Sequence, residues 1–288
     1  MNELTVMTWN VRYFSQRTGG LRATPRCMSE IADAICRLDP LPDVLALQEV
    51  EERSLRGGLD AVGQLDRFRG MLHHALHRAD IERRFRSLYF PAHRYQVPLV
   101  PPLYTTGLAL LVREDISVEE ALSEEITTVR VPALAWLKQK RIAVHARLSW
   151  RGRRLELFNT HLSLPAFFEG SPHTVPQRMG YGSNQRSEIQ SVLDMVAQRA
   201  AGRPALLVGD LNSQPGSPVY HAVLDAGMID VYAGHEDLST ARFAHLRMHL
   251  DHIFASPSLA WSTCAVPDAP FSALSDHRPK VSTLRLPR

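Results

Sequence analysis

Polar side chains that a buried strand rarely holds stand at the ends of short apolar runs along the whole chain. They are Asn10, Glu49, Asn159 with His161, Asp210 with Asn212, Asp251, and Asp276 with His277. Side chains at strand ends project into the cleft above a sheet, where loops diverge and a ligand can enter. One such residue is usually a solvated strand end or a hydrogen-bonded histidine. Several coincidences on one chain favour a shared site.

The chemistry of this set is coherent. Carboxylate and amide oxygens are the ligands that Mg²⁺ and Mn²⁺ prefer, whereas the three cysteines are scattered and lack the spacing of a zinc site. Hydrolysis of a phosphate ester needs a cation for the phosphoryl oxygens, a base for water, and donors for the leaving oxygen. Carboxylates, asparagines and two histidines supply all three.

The elements that position these residues begin with a strand, a helix and a strand. Residues 4–11 alternate apolar and polar side chains, and residues 43–47 form a short apolar run that ends before Glu49. Between them, Thr24 and Pro25 mark the start of a helix whose apolar residues recur at helical spacing. This is the βαβ pattern, and a second helix is predicted over residues 59–79.

The rest of the chain is predicted to alternate further strands with helices. Strands are predicted over residues 104–113, 141–150, 154–161, 205–208, 251–255, 259–266 and 280–286, and helices over residues 185–201 and 219–226. Arg151-Gly152-Arg153 suits a tight hairpin between two of these strands. The pattern predicts an α/β fold in which two mixed, mainly antiparallel sheets pack face to face under helices. No interior stretch resembles a linker, so residues 1–288 are predicted to form a single domain.

Six motifs carry a family resemblance, and they follow one another over nearly the whole chain. They are Thr8-Trp9-Asn10-Val11, Leu47-Gln48-Glu49-Val50, Asn159-Thr160-His161-Leu162, Gly209-Asp210-Leu211-Asn212, Leu250-Asp251-His252-Ile253-Phe254 and Ser275-Asp276-His277-Arg278-Pro279. In this order they resemble the endonuclease/exonuclease/phosphatase superfamily, which includes deoxyribonuclease I, abasic-site endonucleases, neutral sphingomyelinases, inositol-polyphosphate 5-phosphatases and deadenylases. The resemblance implies a four-layer α/β sandwich with the site at one edge of the paired sheets.

The same resemblance implies a metal site for Mg²⁺ or Mn²⁺. Glu49 would be the principal ligand, with Asn10 beside it and Asp276 completing or bridging the metal environment. Arg12 stands where several nucleases of the family carry an acidic residue. Its presence favours one metal ion over two.

Catalytic roles are also implied by the resemblance. Asp210 would orient and deprotonate the attacking water, and Asn212 would hold Asp210 or a phosphate oxygen. Asp251 would fix the tautomer of His277 and favour its imidazolium form, so that His277 donates to the phosphate. His161 would contact the scissile phosphate or assist the leaving oxygen. The expected reaction is in-line attack by water with inversion at phosphorus.

Three functions remain open from the sequence. The leading one is a phosphodiesterase acting on nucleic acid, which the resemblance favours for a compact member without extra domains. The second is a phosphatase or phosphodiesterase for phosphorylated lipid head groups or small metabolites. The third is a non-catalytic binding module of the same fold, against which the intact set of polar residues argues.

Composition limits the setting without naming the substrate. A net charge of +3 permits an anionic substrate. The N-terminus lacks a basic region before an apolar run, and no segment approaches the roughly 20 apolar residues of a membrane span. We therefore expect a soluble, cytoplasmic protein with no membrane span, and nothing calls for an obligate protein partner.

Two further segments invite a functional interpretation. Residues 66–94 hold seven arginines and three acidic residues. We interpret them as an ordinary helix surface in an arginine-rich chain rather than a nucleic-acid face, and His73 with His77 lack a third metal ligand nearby. The loop over residues 165–184 holds five bulky side chains, Phe167, Phe168, His173, Met179 and Tyr181. They either stack against the substrate or pack the loop onto the body of the protein.

Overall fold

Two six-stranded sheets form the centre of the computed structural model, which describes residues 3–59, 62–95, 102–127, 139–165, 178–235, 238–243 and 246–287. The first sheet is built from β1 (Glu3–Asn10), β2 (Val44–Val50), β3 (Phe85–Tyr95), β4 (Tyr104–Arg113), β13 (Ala260–Ala265) and β14 (Lys280–Arg285). Its strand order is β13-β14-β1-β2-β4-β3, and the pairing of β1 with β2 is parallel. Its other pairings are antiparallel.

The second sheet repeats this plan. It is built from β5 (Ser117–Glu125), β6 (Ile142–Trp150), β7 (Arg153–His161), β8 (Ala205–Asp210), β9 (Ile229–Asp230) and β12 (Asp251–Ala255). Its order is β5-β6-β7-β8-β12-β9, and only β7 and β8 are parallel. A separate small hairpin is formed by β10 (Ala241–Phe243) and β11 (Leu246–Met248).

Helices cover the outer faces of both sheets. The helices α1 (Pro25–Ile35) and α2 (Gln64–Arg78) share one apolar core with the first sheet, and α3 (Ser183–Ala200) and α4 (Pro218–Asp225) share another with the second. A third core lies between the two sheets and unites apolar residues from both. The result is helices, sheet, sheet and helices, which confirms the predicted four-layer α/β sandwich. Among the described residues, no helix is long and apolar enough to span a bilayer.

Local signals explain where several elements begin. The Thr24 hydroxyl accepts the Cys27 N–H at 3.2 Å, so Thr24 caps α1 as predicted. Arg151 and Gly152 both have positive φ, 52° and 73°, and they form the two-residue turn between β6 and β7. The second helix was predicted from residue 59, but α2 begins at Gln64 after Gly63, because the apolar stripe of a helix does not define its first turn.

Two sheet edges differ from the sequence prediction. Residues 66–94 were interpreted as a helix surface, but only their first part lies in α2, and residues 85–94 lie in the edge strand β3. The strand β5, which forms an edge of the second sheet, was not predicted at all. Both strands carry charged residues on exposed positions, a usual feature of sheet edges that obscures their apolar pattern.

Candidate active site

The predicted site residues lie at one edge of the two sheets, where β1, β2, β7 and β8 end and β12 begins. In the first sheet, Asn10 at the end of β1 lies opposite Gln48 of β2. In the second, His161 at the end of β7 lies opposite Asp210 of β8, which lies opposite Asp251 of β12. Because both parallel pairs direct their carboxyl ends to this edge, residues far apart in sequence meet above the sheets.

Glu49 occupies a bulge in β2. The register with β4 shifts between Gln48 and Val50, and Glu49 has a φ of 55°, in the left-handed region that non-glycine residues rarely adopt. Burial, and then the neighbouring carboxylate of Asp276, raise the pKa of the Glu49 carboxyl group. The bulge therefore re-aims Glu49 out of the strand alternation and towards a second carboxylate.

Asn10 joins the two halves of the site. Its side-chain N–H donates to Asp210 Oδ2 at 3.0 Å, and its Oδ1 accepts the Arg12 backbone N–H at 3.0 Å. Arg12 in turn forms an ion pair with Asp276, with 3.3 Å between Nε and Oδ2. Arg12 therefore puts a guanidinium group beside Asp276, at a position where several nucleases of the family are expected to carry an acidic residue.

Asp210 is the central carboxylate of the site and is almost fully buried. Its Oδ1 accepts the Asn212 backbone N–H at 3.0 Å, and its Oδ2 lies 3.4 Å from His161 Nε2 and 3.8 Å from His277 Nε2. Burial raises the pKa of Asp210 to about 7, against the opposing effect of His277. Such a group is a base near neutral pH.

The half-buried His277 pairs with the buried Asp251. The distance between His277 Nδ1 and Asp251 Oδ2 is 2.8 Å, and Thr240 Oγ1 fixes the strand by accepting the Asp251 N–H at 3.0 Å. Burial opposes a charge on His277, but the carboxylates of Asp251 and Asp210 outweigh it and hold the pKa of His277 well above its ordinary value. The raised pKa favours the imidazolium form of His277, in which both ring nitrogens carry a proton.

His161 has the opposite character. Its pKa is held well below the ordinary value by burial and then by the positive charges of Arg141 and His277. Arg141 Nη1 lies 3.0 Å from His161 Nδ1, and because a guanidinium group only donates, Nδ1 must accept. The proton of the neutral ring therefore sits on Nε2, on the side of Asp210.

Two residues of this site gave no signal in the sequence. Arg141 precedes β6 in a chain rich in arginine, and no spacing distinguishes it from the others. Tyr13 lies in a turn where three successive residues have positive φ, and Arg56 stacks on its ring at 3.6 Å. Burial, and then the charge of Glu49, raise the pKa of Tyr13 to about 12, so it stays a neutral phenol near Glu49.

The first turn of α3 supports the Asn212 side of the site. Asn212 has a φ of 45°, and its side-chain N–H donates to the Leu162 carbonyl at 2.9 Å. Its own carbonyl accepts Gln185 Nε2 at 2.7 Å, while the buried carboxylate of Glu188 accepts the Ser163 N–H at 2.8 Å. These bonds tie the segments after β7 and β8 together, so His161 and Asp210 keep a fixed separation.

Two groups of side chains have the composition of a cation site. Ligand atoms of Asp210, Asp251 and His277 lie within 4.8 Å of one another, but the hydrogen bond and the positive charge of His277 already account for that group. Glu49 and Asp276 instead present two carboxylates, and burial followed by the charge of Asp276 raises the pKa of Glu49. Oxygen donors of this kind fit Mg²⁺ or Mn²⁺, with the Asn10 amide oxygen beside them.

Other residues considered from the sequence have structural contacts. His252 is buried, and its Nε2 donates a hydrogen bond to the Ser213 carbonyl at 2.8 Å, in agreement with its interpretation as a strand residue. His73 Nε2 accepts the Phe85 N–H at 2.9 Å, which uses the lone pair that a metal would need. Phe167, Phe168 and His173 lie outside the described residues.

The comparisons with known proteins agree with this architecture. The chain matches the model of the Endonuclease/Exonuclease/phosphatase family over residues 7–277, and it therefore belongs to that family. This confirms the resemblance inferred from the six motifs. Members of the family are phosphoester hydrolases and generally use divalent metals. No curated protein matches the sequence.

Solved structures of low sequence identity share the fold. An endonuclease/exonuclease/phosphatase from Beutenbergia cavernae is 20% identical with a TM-score of 0.71, covering 100% of this chain and 72% of its own. A mannosyl-6-phosphatase from Bacteroides thetaiotaomicron is 18% identical with a TM-score of 0.66, covering 98% and 99%. The human nocturnin catalytic domain is 18% identical with a TM-score of 0.64, covering 99% and 95%.

Proposed function

We propose that this protein is a divalent-metal-dependent phosphodiesterase that hydrolyses nucleic acid by in-line attack of water. The observation that carries the proposal is the position of Asp210, a buried carboxylate whose Oδ2 lies 3.4 Å from His161 Nε2 and 3.8 Å from His277 Nε2. A binding module has no need for a buried carboxylate base flanked by two histidine donors. The arrangement supports hydrolysis over binding alone.

Glu49 and Asp276, with Asn10 beside them, would hold Mg²⁺ or Mn²⁺, which neutralises phosphoryl oxygens when bound. Asp210 would accept the proton of the attacking water. Its two oxygens are kept in place by the Asn212 N–H and the Asn10 side chain, so the base cannot rotate away from the phosphate.

The two histidines would stabilise the charge that develops at phosphorus. His277, kept protonated by Asp251, would donate from Nε2 to a phosphoryl oxygen. His161 would donate from Nε2 to the phosphate or the leaving oxygen, with Arg141 fixing that tautomer. Asn212 would hold Asp210 by its backbone N–H and donate the second N–H of its side-chain amide to a phosphate oxygen.

Hydrolysis of a small phosphomonoester is the second candidate, because a solved structure of the same fold is named a mannosyl-6-phosphatase.

Short single-stranded DNA and RNA should be degraded in Mg²⁺ or Mn²⁺, with a KM that rises steeply with salt because counterions are released on binding. A panel of sugar phosphates serves as the comparison. Turnover of the sugar phosphates alone, with a KM insensitive to salt, would replace the nuclease proposal by the phosphatase.

A further inference from the structure

A cavity of about 480 Å³ lies beside the candidate active site. Asp276 and Ser275 form part of its wall, and residues from the turn after β1 and from the hairpin β10–β11 complete it. The hairpin is anchored to the segment that holds His277. Arg242 donates its backbone N–H to the Asp276 carbonyl at 3.0 Å, and Arg278 donates its own to Thr240 at 2.6 Å.

Arginines outnumber carboxylates among the described side chains that line this cavity. Four arginines, Arg12, Arg242, Arg247 and Arg278, line it together with two carboxylates, Asp268 and Asp276. A larger cavity of about 1150 Å³, lined by Asp80 and Arg84 among others, shows the contrast, because four arginines there face four carboxylates. The abundance of arginine in the chain therefore does not by itself produce an excess of positive charge in a cavity.

Arg278 is held in place before any ligand binds. Its side chain is only 15% exposed, its Nε donates to the Ser239 carbonyl at 2.9 Å, and its Nη2 donates to the Ser239 hydroxyl at 2.8 Å. Its Nη1 lies 3.8 Å from Asp268, beyond hydrogen-bond distance. A fixed guanidinium group loses little conformational entropy when it binds a phosphate.

We propose that this cavity binds a second phosphate group of the substrate, adjacent to the one that is hydrolysed. The proposal rests on the proposed function, since it takes the site beside Asp276 as the place of hydrolysis. Two N–H groups of one guanidinium group can donate to two oxygens of one phosphate. The cavity also shares Asp276 with the hydrolytic site. The second phosphate belongs either to the next nucleotide of a strand or to a small bisphosphate.

Pairs of substrates that differ only by one additional phosphate group test whether the cavity binds that group. The p-nitrophenyl ester of thymidine 5′-phosphate is compared with the same ester carrying a 3′-phosphate, and the 3′-ester is compared with and without a 5′-phosphate. We expect the second phosphate to raise kcat/KM about tenfold or more in one of these pairs. A third pair, glucose 6-phosphate and glucose 1,6-bisphosphate, tests the small-molecule source.

Variants assign the preference to the cavity. In an Arg242→Gln, Arg247→Gln double variant, the advantage of the second phosphate should fall to nearly one, since both side chains are exposed on the hairpin. Arg154→Gln is the control, because Arg154 is an exposed arginine of β7 that pairs with Glu119 away from the cavity. It should keep the preference of the unmodified protein.

Each outcome decides the proposal. If the second phosphate is preferred in a nucleotide pair and the double variant loses that preference, the proposal is supported and the phosphate belongs to nucleic acid. If it is preferred in the sugar pair alone, the proposal is supported and the substrate is a small bisphosphate. Equal rates within all three pairs, or a preference that the double variant keeps, would overturn it.

Absence of all turnover would instead count against the proposed function, and binding then tests the cavity separately. Titration calorimetry with the Asp210→Ala variant should show thymidine 3′,5′-bisphosphate binding about tenfold tighter than thymidine 5′-phosphate. The Arg242→Gln, Arg247→Gln changes should abolish that difference. Equal affinities would overturn the proposal here too.

Discussion

The protonation of Asp210 should govern the acid side of the pH profile. Burial raises the pKa of this carboxyl group to about 7, and only the deprotonated form accepts a proton from water. We therefore predict that kcat/KM rises with pH up to the pKa of Asp210 and then levels. A bound cation favours the carboxylate and should shift this limb to lower pH as its concentration increases. A limb that does not respond to the cation would contradict a metal held by Glu49 and Asp276 close enough to act on Asp210.

The Asp251–His277 pair should govern the alkaline side. Two carboxylates hold the pKa of His277 above its ordinary value, so the donor is lost only at high pH. In Asp251→Asn one of these charges is removed, the pKa of His277 falls, and kcat/KM should decline at a lower pH than in the unmodified protein. The pH–rate profile measures the shift. An alkaline limb in the same place in both proteins would show that His277 is not the titrating donor.

The sequence predicted eight polar residues that the structure brings together, but not all of the residues around them. These eight residues lie at or near the ends of strands, at one edge of the sheets. Their roles remain predictions. Arg141 and Tyr13 could not be found in this way, because one is a common residue type outside any pattern and the other depends on a strained turn.

At the level of elements, the approach of β7 and β8 depends on Gly209. Its φ is 138°, and a Cβ there would lie 2.0 Å from the Thr160 carbonyl oxygen. We predict that Gly209→Ala lowers the free energy of unfolding by more than about 3 kcal/mol and removes activity, because Asp210 and His161 flank the clash. Urea denaturation measures the change.

Gly227→Ala is the matched control for that substitution. Gly227 also has a positive φ, 83°, but a Cβ there would meet no atom within 4 Å. It should lose only about 1 kcal/mol, the expense of a left-handed backbone. Equal losses in the two variants would show that backbone conformation, not contact with Thr160, sets the requirement for glycine.

Strands and helices that face a core were predicted more accurately than those at the edges of the sheets. The strand β8 and the helix α1 present continuous or periodic apolar residues to a core, and both were predicted close to their observed bounds. The strand β5 alternates exposed and half-buried residues, four of them glutamates, so its apolar signal is weak. The hairpin β10–β11 is too short to show a period. Edge strands and short hairpins are fixed by their neighbours rather than by their own pattern.

At the level of the whole molecule, several buried hydrogen bonds join the two sheets, and the shortest of those made by Asn159 links two side chains. Gln48 Nε2 donates to Asn159 Oδ1 at 2.8 Å, linking β2, which carries Glu49, to β7, which carries His161. Asn159→Ala leaves the buried amide without this acceptor and should reduce the free energy of unfolding by about 1–3 kcal/mol. The kcat should also fall, because the two halves of the site lose their alignment.

A double-mutant cycle isolates this connection. If the bond between the sheets carries the effect, Gln48→Ala and Asn159→Ala together should cost less than the sum of the two single changes in urea denaturation. Additive losses would mean that each side chain acts through its own sheet.

The reaction proposed for this site is a metal-dependent attack of water on a phosphodiester, with Asp210 as the base. Its most direct test is the hydrolysis of bis-p-nitrophenyl phosphate in Mg²⁺, in Mn²⁺ and in EDTA by the unmodified protein and by Asp210→Ala. We predict cleavage with either metal, none in EDTA, and a loss of about a hundredfold to ten-thousandfold in a folded Asp210→Ala variant. Undiminished cleavage in EDTA, or by the variant, would contradict the account.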